Sequence, residues 1–224
     1  MLYARLDEQT FAHPVSKVVC VGRNYADHAA ELNNPIPETP LLFIKPASCA
    51  VDLEPAIRIP TQQGEVHHEL EIALLIGRPL YQASVDTALR AIAGIGLGID
   101  LTLRDVQSQL KSKGHPWERA KAFPDSCPLS RFVSAEQVTD WQELDLKFWR
   151  NGQLQQHGRS ADMLFSIAQL VSEASTAFGL EAGDVVLTGT PAGVGPLRVG
   201  DELQLALNNW LDLSCKVEAC DEPV

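Results

Sequence analysis

Two glutamates, Glu69 and Glu71, stand two residues apart in the run E-V-H-H-E-L-E-I-A-L-L-I from Glu65 to Ile76. Polar and apolar alternation there gives way to a continuous apolar stretch, which predicts a strand passing from a cleft into a core. On such a strand both carboxylates point to one face, about 7 Å apart at the backbone. Like charges held side by side repel unless a cation lies between them. A hard divalent ion such as Mg²⁺ or Mn²⁺ suits that place, taking a few carboxylates and completing its shell with water or substrate oxygens. The flanking His67 and His68 also admit a softer metal. A bare E-x-E pair more often marks the solvated face of an edge strand. Asp100 strengthens the metal reading, because it closes the apolar strand from Ile92 to Ile99, and sites are commonly built at strand ends.

Three further groups could do chemistry. Lys121 lies in R-A-K-A-F between Trp117 and Phe123, so its ammonium would be partly desolvated unless an anion meets it; the plainer reading is a surface lysine. His28 and Glu31 are spaced i, i+3 on an expected helix, where they can touch and serve as a base and its orienting carboxylate, or simply as a surface pair. The turn Thr188-Gly189-Thr190-Pro191 offers amides and hydroxyls that could hold a carboxylate, or merely connects two strands. No G-x-G-x-x-G, G-K-[ST] or G-x-S-x-G string occurs, which leaves nucleotide binding and serine hydrolase chemistry without support.

The elements that must position these groups are mostly strands. Lys17 to Val21 reads as a strand ending at Gly22, followed by a short helix over Tyr25 to Leu32. The prolines at 35, 37 and 40 demand an extended loop before the strand Leu41 to Ile44. Val85 to Ala93 and Arg104 to Lys111 read as helices. Gly94, Gly96 and Gly98 leave one strand face bare, which suits close packing of another backbone. Asn151-Gly152 between Leu144 to Trp149 and the run from Gln153 onward predicts a hairpin, and Met163 to Phe178 has helical spacing with Gly179 as its stop.

Composition agrees with a packed globule: 224 residues, 45% apolar and 21% charged, long enough for one large catalytic domain over 1–224. The net charge of −11 argues against nucleic acid and anionic membrane partners. It also means that a small anionic substrate needs a local cation, either a metal or a positioned Lys or Arg. Five irregularly spaced cysteines read as reduced thiols, and no leader pattern or bilayer-length apolar run is present, so a cytoplasmic location is expected.

Six ordered strings carry a resemblance: C-V-G-R-N-Y-A-D-H-A-A-E-L at 20–32, L-F-I-K-P at 42–46, H-H-E-L-E at 67–71, G-I-D-L-T-L-R-D-V-Q at 98–107, W-E-R-A-K-A-F at 117–123, and G-D-V-V-L-T-G-T-P-A-G-V-G at 183–195. Together they resemble the short, single-domain branch of the fumarylacetoacetate hydrolase family. The resemblance implies a strand-rich α+β fold, with mixed β-sheets rolled into a sandwich or barrel and a few short helices, like the C-terminal domain of that family. It implies a homodimer with one Mg²⁺ or Mn²⁺ per site, held by Glu69, Glu71 and Asp100. It implies that Lys121, Arg104, Gln107 and Lys45 meet substrate, that His28 and Glu31 act on a water from a mobile segment, and that Thr190 lies at the carboxylate end. Arg23, Asn24 and Tyr25 would line the entrance, residues 22–46 would form a lid, and residues 1–15 an N-terminal extension. Two departures stand out: Pro124 precedes Asp125 after the A-K-A-F string, which would shift the loop beside Lys121, and Arg159 stands where a neutral residue is usual, which would alter a distal substrate contact.

The substrate expected on this basis is a small 2-oxo acid whose enolate a bound metal would stabilise. Water activated by His28 would then cleave an acylpyruvate to pyruvate and a carboxylate. The alternatives are decarboxylation or keto-enol tautomerisation of oxaloacetate, isomerisation or decarboxylation of a dienoate dicarboxylic acid, and, in another class, non-catalytic metal or ligand binding.

Overall fold

The computed structural model describes residues 1–32 and 34–220. Its centre is an eight-stranded mixed sheet, curled on itself. The main path runs through Leu41–Pro46, Lys17–Gly22, Val185–Leu187, Leu70–Ile76, Ile92–Ile99, Cys127–Leu129 and Ala50–Asp52, with Val133–Ser134 pairing to Ile92–Ile99 off that path. A five-stranded sheet, Gln153–Arg159, Asp145–Arg150, Glu202–Leu207, Leu211–Ala219 and Ala56–Ile59, packs over one face. Helices are few; the longest is Ile167–Phe178, opened by a capping box in which Ser166 and Gln169 satisfy each other's backbone donors. No helix among the described residues is long and apolar enough to cross a membrane.

Two apolar layers follow from the period-two alternation of the central strand Leu70–Ile76, every residue of which is buried. Leu70, Ile72, Leu74 and Ile76 face the larger core with Phe148, Leu203 and Leu205 from the five-stranded sheet. Ala73 and Leu75 face a second, smaller core with Val18, Cys20, Cys127 and Leu187. Glu71 shares the parity of Ala73 and Leu75, so it is the polar end of that second layer. Most strand and helix readings of the sequence reappear with shifted ends: the helix expected from Val85 to Ala93 stops at Leu89 because Ile92 already enters the sheet. The Asn151-Gly152 hairpin is present, with both residues at positive φ (52° and 74°), as a tight hairpin turn requires.

The glycine face of Ile92–Ile99 receives side chains as much as backbone. A Cβ at Gly94 would lie 2.7 Å from Leu6 Cδ1, and one at Gly98 2.7 Å from Leu187 Cδ2. Leu6 belongs to a hairpin of Tyr3–Leu6 and Gln9–Pro14, so the first fifteen residues are seated on the sheet, with Phe132 N donating to Arg5 O and Asp7 N to Phe132 O. Of residues 22–46, the stretch Ala26–Glu31 is a helix and Leu41–Pro46 is an edge strand in six-residue register with Lys17–Gly22. The five cysteines are unpaired, four of them buried.

Candidate active site

Glu69 does not share a continuous strand with Glu71. The run expected as one strand divides into Val66–His68, which belongs to a separate three-stranded sheet, and Leu70–Ile76. Glu69 occupies the break, where the chain changes sheets, and its carbonyl accepts from Asp100 N at 2.8 Å. That bond brings the end of Ile92–Ile99 against the break and sets Asp100 beside both glutamates. The result still gathers the three carboxylates: Glu69, Glu71 and Asp100 are buried, and one oxygen of each lies within 4.8 Å of the others.

Three cations surround them. Lys121 Nζ donates to Glu69 Oε2 at 2.8 Å and Asp100 Oδ2 at 2.6 Å, and Arg104 Nη2 donates to Glu69 Oε1 at 2.5 Å. The apolar contact expected for Lys121 comes from Phe43, whose ring centre is 5.3 Å from Nζ, whereas Phe123 lies under Lys45. Burial would raise the pKa of Glu69, but Lys121 and Arg104 more than offset it and hold the carboxyl below its usual range. For Glu71 the balance goes the other way: burial, then Asp100 and Glu69, push its pKa well up against the weaker pull of Lys121 and of Gly189 N, which donates to Oε2 at 2.6 Å. Burial opposes the charge on Lys121, yet Asp100 and Glu69 hold it firmly protonated.

These residues fit a hard divalent cation. The donor set is all oxygen. Asp100 Oδ1 is buried without a hydrogen bond. Lys45 Nζ lies only 2.8 Å from it, but that ammonium spends its three protons on the carbonyls of Leu101, Lys121 and Ser126, leaving a Coulombic contact alone. Glu71 Oε1 likewise has no protein donor among the described residues. A cation between them would reverse the repulsion that drives Glu71 toward its protonated form. The softer-metal reading is not supported by geometry: His68 Nδ1 is 3.0 Å from Gln156 Oε1 and its ring is tilted against Phe148, and neither His67 nor His68 joins the cluster.

A cavity opens above the carboxylates, lined by Arg23, His28, Arg104, Gln107, Lys111, Lys121 and Thr190 together with Phe43 and Trp117. His28 Nδ1 is 3.1 Å from Glu31 Oε2, and Glu31 Oε1 accepts from Gly193 N at 3.0 Å. The carboxylate therefore orients the ring, placing its proton on Nδ1 and leaving Nε2 for the cavity. Thr190 Oγ1 donates to Leu70 O and accepts from Gln156 Nε2, both at 2.8 Å, so its hydroxyl proton is already committed, and its backbone N–H, which meets no acceptor among the described residues, is the remaining donor.

Three expected substrate contacts sit elsewhere. Lys45 is fully buried and is a structural cation behind Asp100, not a cavity residue. Asn24 is fully buried: it donates to Phe165 O and Thr188 O and accepts from Phe165 N, stapling three segments together. Tyr25 is buried beside it with an unpartnered hydroxyl, and of the three entrance residues only Arg23 lines the cavity. Arg159 points outward, its side chain 58% exposed and paired with Asp162, so its departure from the family pattern changes no cavity contact. The loop with Pro124 is pinned by Ser126, whose Oγ donates to Lys121 O at 2.8 Å, with Asp125 at positive φ. Sequence reasoning missed Lys111, although Arg104, Gln107 and Lys111 stand at i, i+3 and i+7 of one helix, the spacing of a single face.

A profile described as fumarylacetoacetate (FAA) hydrolase C-terminal matches residues 17–218. Over 197 residues the chain is 52% identical to the oxaloacetate tautomerase YcgM of Escherichia coli, covering 88% of this chain and 90% of that protein. It is 42% identical over 201 residues to the mitochondrial oxaloacetate tautomerase FAHD1 of Bos taurus, covering 90% of this chain and 91% of that one. The fumarylpyruvate hydrolase of Pseudomonas aeruginosa, solved in complex with Mn²⁺ and pyruvate, superposes with a TM-score of 0.90 at 34% identity, covering 97% of this chain and 96% of that one. With the strand-rich curled sheet and a match across nearly its whole length, the chain belongs to the fumarylacetoacetate hydrolase family of enzymes.

Proposed function

We propose that the protein interconverts the enol and keto forms of oxaloacetate, the reading held above as an alternative to acylpyruvate hydrolysis. The observation that carries it is the cavity itself: one oriented imidazole, His28, above a buried floor of three carboxylates and the ammonium of Lys121. Relatives that are oxaloacetate tautomerases, at 52% and 42% identity, favour this substrate over an acylpyruvate. A divalent ion held by Glu69, Glu71 and Asp100 would supply Lewis-acid polarisation of the substrate's 2-oxygen.

The chain's own residues divide the remaining work. Lys121, kept protonated by Glu69 and Asp100, offers positive charge to the oxygen that gains negative charge as the C2–C3 unit rearranges. His28 Nε2 takes the proton released from the 2-hydroxyl of the enol and delivers it to C3, so atoms balance and no water is consumed. Glu31 keeps the ring in the required tautomer and stabilises it while charged. The Thr190 amide and Arg104 hold the carboxylate end.

The test is the decay of enol-oxaloacetate absorbance with purified protein in Mg²⁺ or Mn²⁺, with and without chelator. Acceleration that vanishes in chelator and in His28→Ala is expected; a rate equal to that of buffer refutes the reading. Hydrolysis of an acylpyruvate is the second reading, favoured by the His28–Glu31 pair, which could activate a water equally well, and by the fumarylpyruvate hydrolase neighbour. It requires pyruvate release from acetylpyruvate in the same preparation.

A further inference from the structure

The cavity holds more positive charge than its floor needs. Arg104 and Lys121 are paired with the carboxylates, as described, but two other cations on the wall are not. Lys111 Nζ donates to an uncharged partner, Asn34 Oδ1, at 2.9 Å, and Arg23 has no ion pair among the described residues. In a chain of net charge −11, exposed carboxylates are plentiful, so two cations left without one on the same wall are a specific arrangement. The pair comes from different elements: Lys111 from the last turn of the helix Arg104–Ser112, and Arg23 from the turn after Lys17–Gly22.

Both are held against a cost. Arg23 has φ 60°, a left-handed conformation disfavoured for a residue with a Cβ, and it persists because the next residue, Asn24, is stapled on both sides. Burial lowers the pKa of Lys111, and Arg23 and Arg104 push the same way, so each cation makes the other less comfortable until an anion arrives.

We infer that Arg23 and Lys111 form a distal anion subsite that takes the second carboxylate of a four-carbon dicarboxylic acid, while the first is held over the Glu69, Glu71 and Asp100 floor. This rests on the proposed function and deepens it, since it makes two residues the source of preference for oxaloacetate over 2-oxo acids with a neutral tail. Charge-assisted hydrogen bonds at a partly desolvated site supply the selectivity, and Asn34, by accepting from Lys111, aims that ammonium along the wall.

The test compares two unreactive probes by calorimetry in Mg²⁺-loaded protein: malate, which has the distal carboxylate, and oxalate, which lacks the carbon skeleton to reach it. Lys111→Met and Arg23→Gln should each weaken malate by about 10- to 100-fold, the range for losing one charge-assisted bond, and oxalate by less than about threefold. Lys111→Arg should keep malate binding within about fivefold of the parent. Equal weakening of both probes would show a general field effect and overturn the subsite, as would no weakening of either. A parent that binds malate in this charge-dependent way yet leaves enol-oxaloacetate untouched would refute the tautomerase reading alone.

Discussion

Replacing Lys45 by methionine separates a structural cation from a substrate contact. The two side chains are close in length, so the change opens no large cavity and mainly removes charge and donors. Ser126 O keeps the Leu101 amide as a second donor, and Lys121 O keeps Ser126 Oγ. Leu101 O loses its single partner among the described residues, at about 1–3 kcal/mol for an orphaned buried carbonyl. Asp100 loses a buried counter-charge 2.8 Å away, a kind of loss that costs about 3–5 kcal/mol, softened here because Lys121 still pairs with its other oxygen and because the ammonium's own desolvation is relieved. A net loss of roughly 3–5 kcal/mol follows, a large share of the stability of a typical domain. Tryptophan fluorescence in a urea titration should show the midpoint fall by about 1–2 M at a normal slope. Were Lys45 a substrate contact, the midpoint would stay within about 0.3 M of the parent and KM alone would rise. That outcome refutes the assignment.

Glu71→Gln removes the carboxylate that its surroundings least tolerate, so the chelated protein should melt higher than the parent while the Mg²⁺-induced rise in Tm shrinks or disappears; a lower Tm in chelator would contradict the repulsion described at the floor. His68 is buried with its pKa pushed down to about 4 from an ordinary 6.5, first by burial and then, against the Gln156 hydrogen bond, by the charges of Arg150 and His67. The unfolded chain therefore binds the proton first as pH falls. Stability is fully present above about pH 6.5 and drops by about 3 kcal/mol between 6.5 and 4; His68→Asn should flatten the difference between the two pH limits in urea titrations, and an unchanged slope would count against it. Gly193→Ala would put a Cβ 1.9 Å from Gln155 O at a φ of 97°, so the loop must move and Glu31 must lose its amide; kcat should fall at least tenfold. Retention of full kcat would show that Glu31 orients His28 without that anchor.

The floor of the site was legible because its signal is local: an i, i+2 acidic pair entering an apolar strand, and an acid closing another. Even so, spacing assigned Glu69 and Glu71 to one strand, when the gathering comes from a change of sheets at Glu69 and from the Asp100 N to Glu69 O bond, a long-range contact with no periodicity to betray it. The hairpin at Asn151-Gly152 and the stop at Gly179 were legible because positive φ restricts residue type. Asn24, Lys45 and Gln156 were misplaced or missed for one shared reason. Each is a polar side chain satisfied by backbone groups more than twenty residues away, and composition cannot distinguish such a staple from a ligand contact. Lys111 was within reach, had the helix from Arg104 been read by its face and not only by its ends.

The notch cut by Gly94 in the Ile92–Ile99 strand bears on how the chain is made. Leu6 fills it, and Phe132 closes it from the other side. Synthesis runs from the N-terminus, so the hairpin of Tyr3–Leu6 and Gln9–Pro14 leaves the ribosome well before Gly94, and its receptor is incomplete until Phe132 has followed. The hairpin is thus made well before it can be seated, and during that interval Ala4 and Leu6 are apolar surface in need of cover.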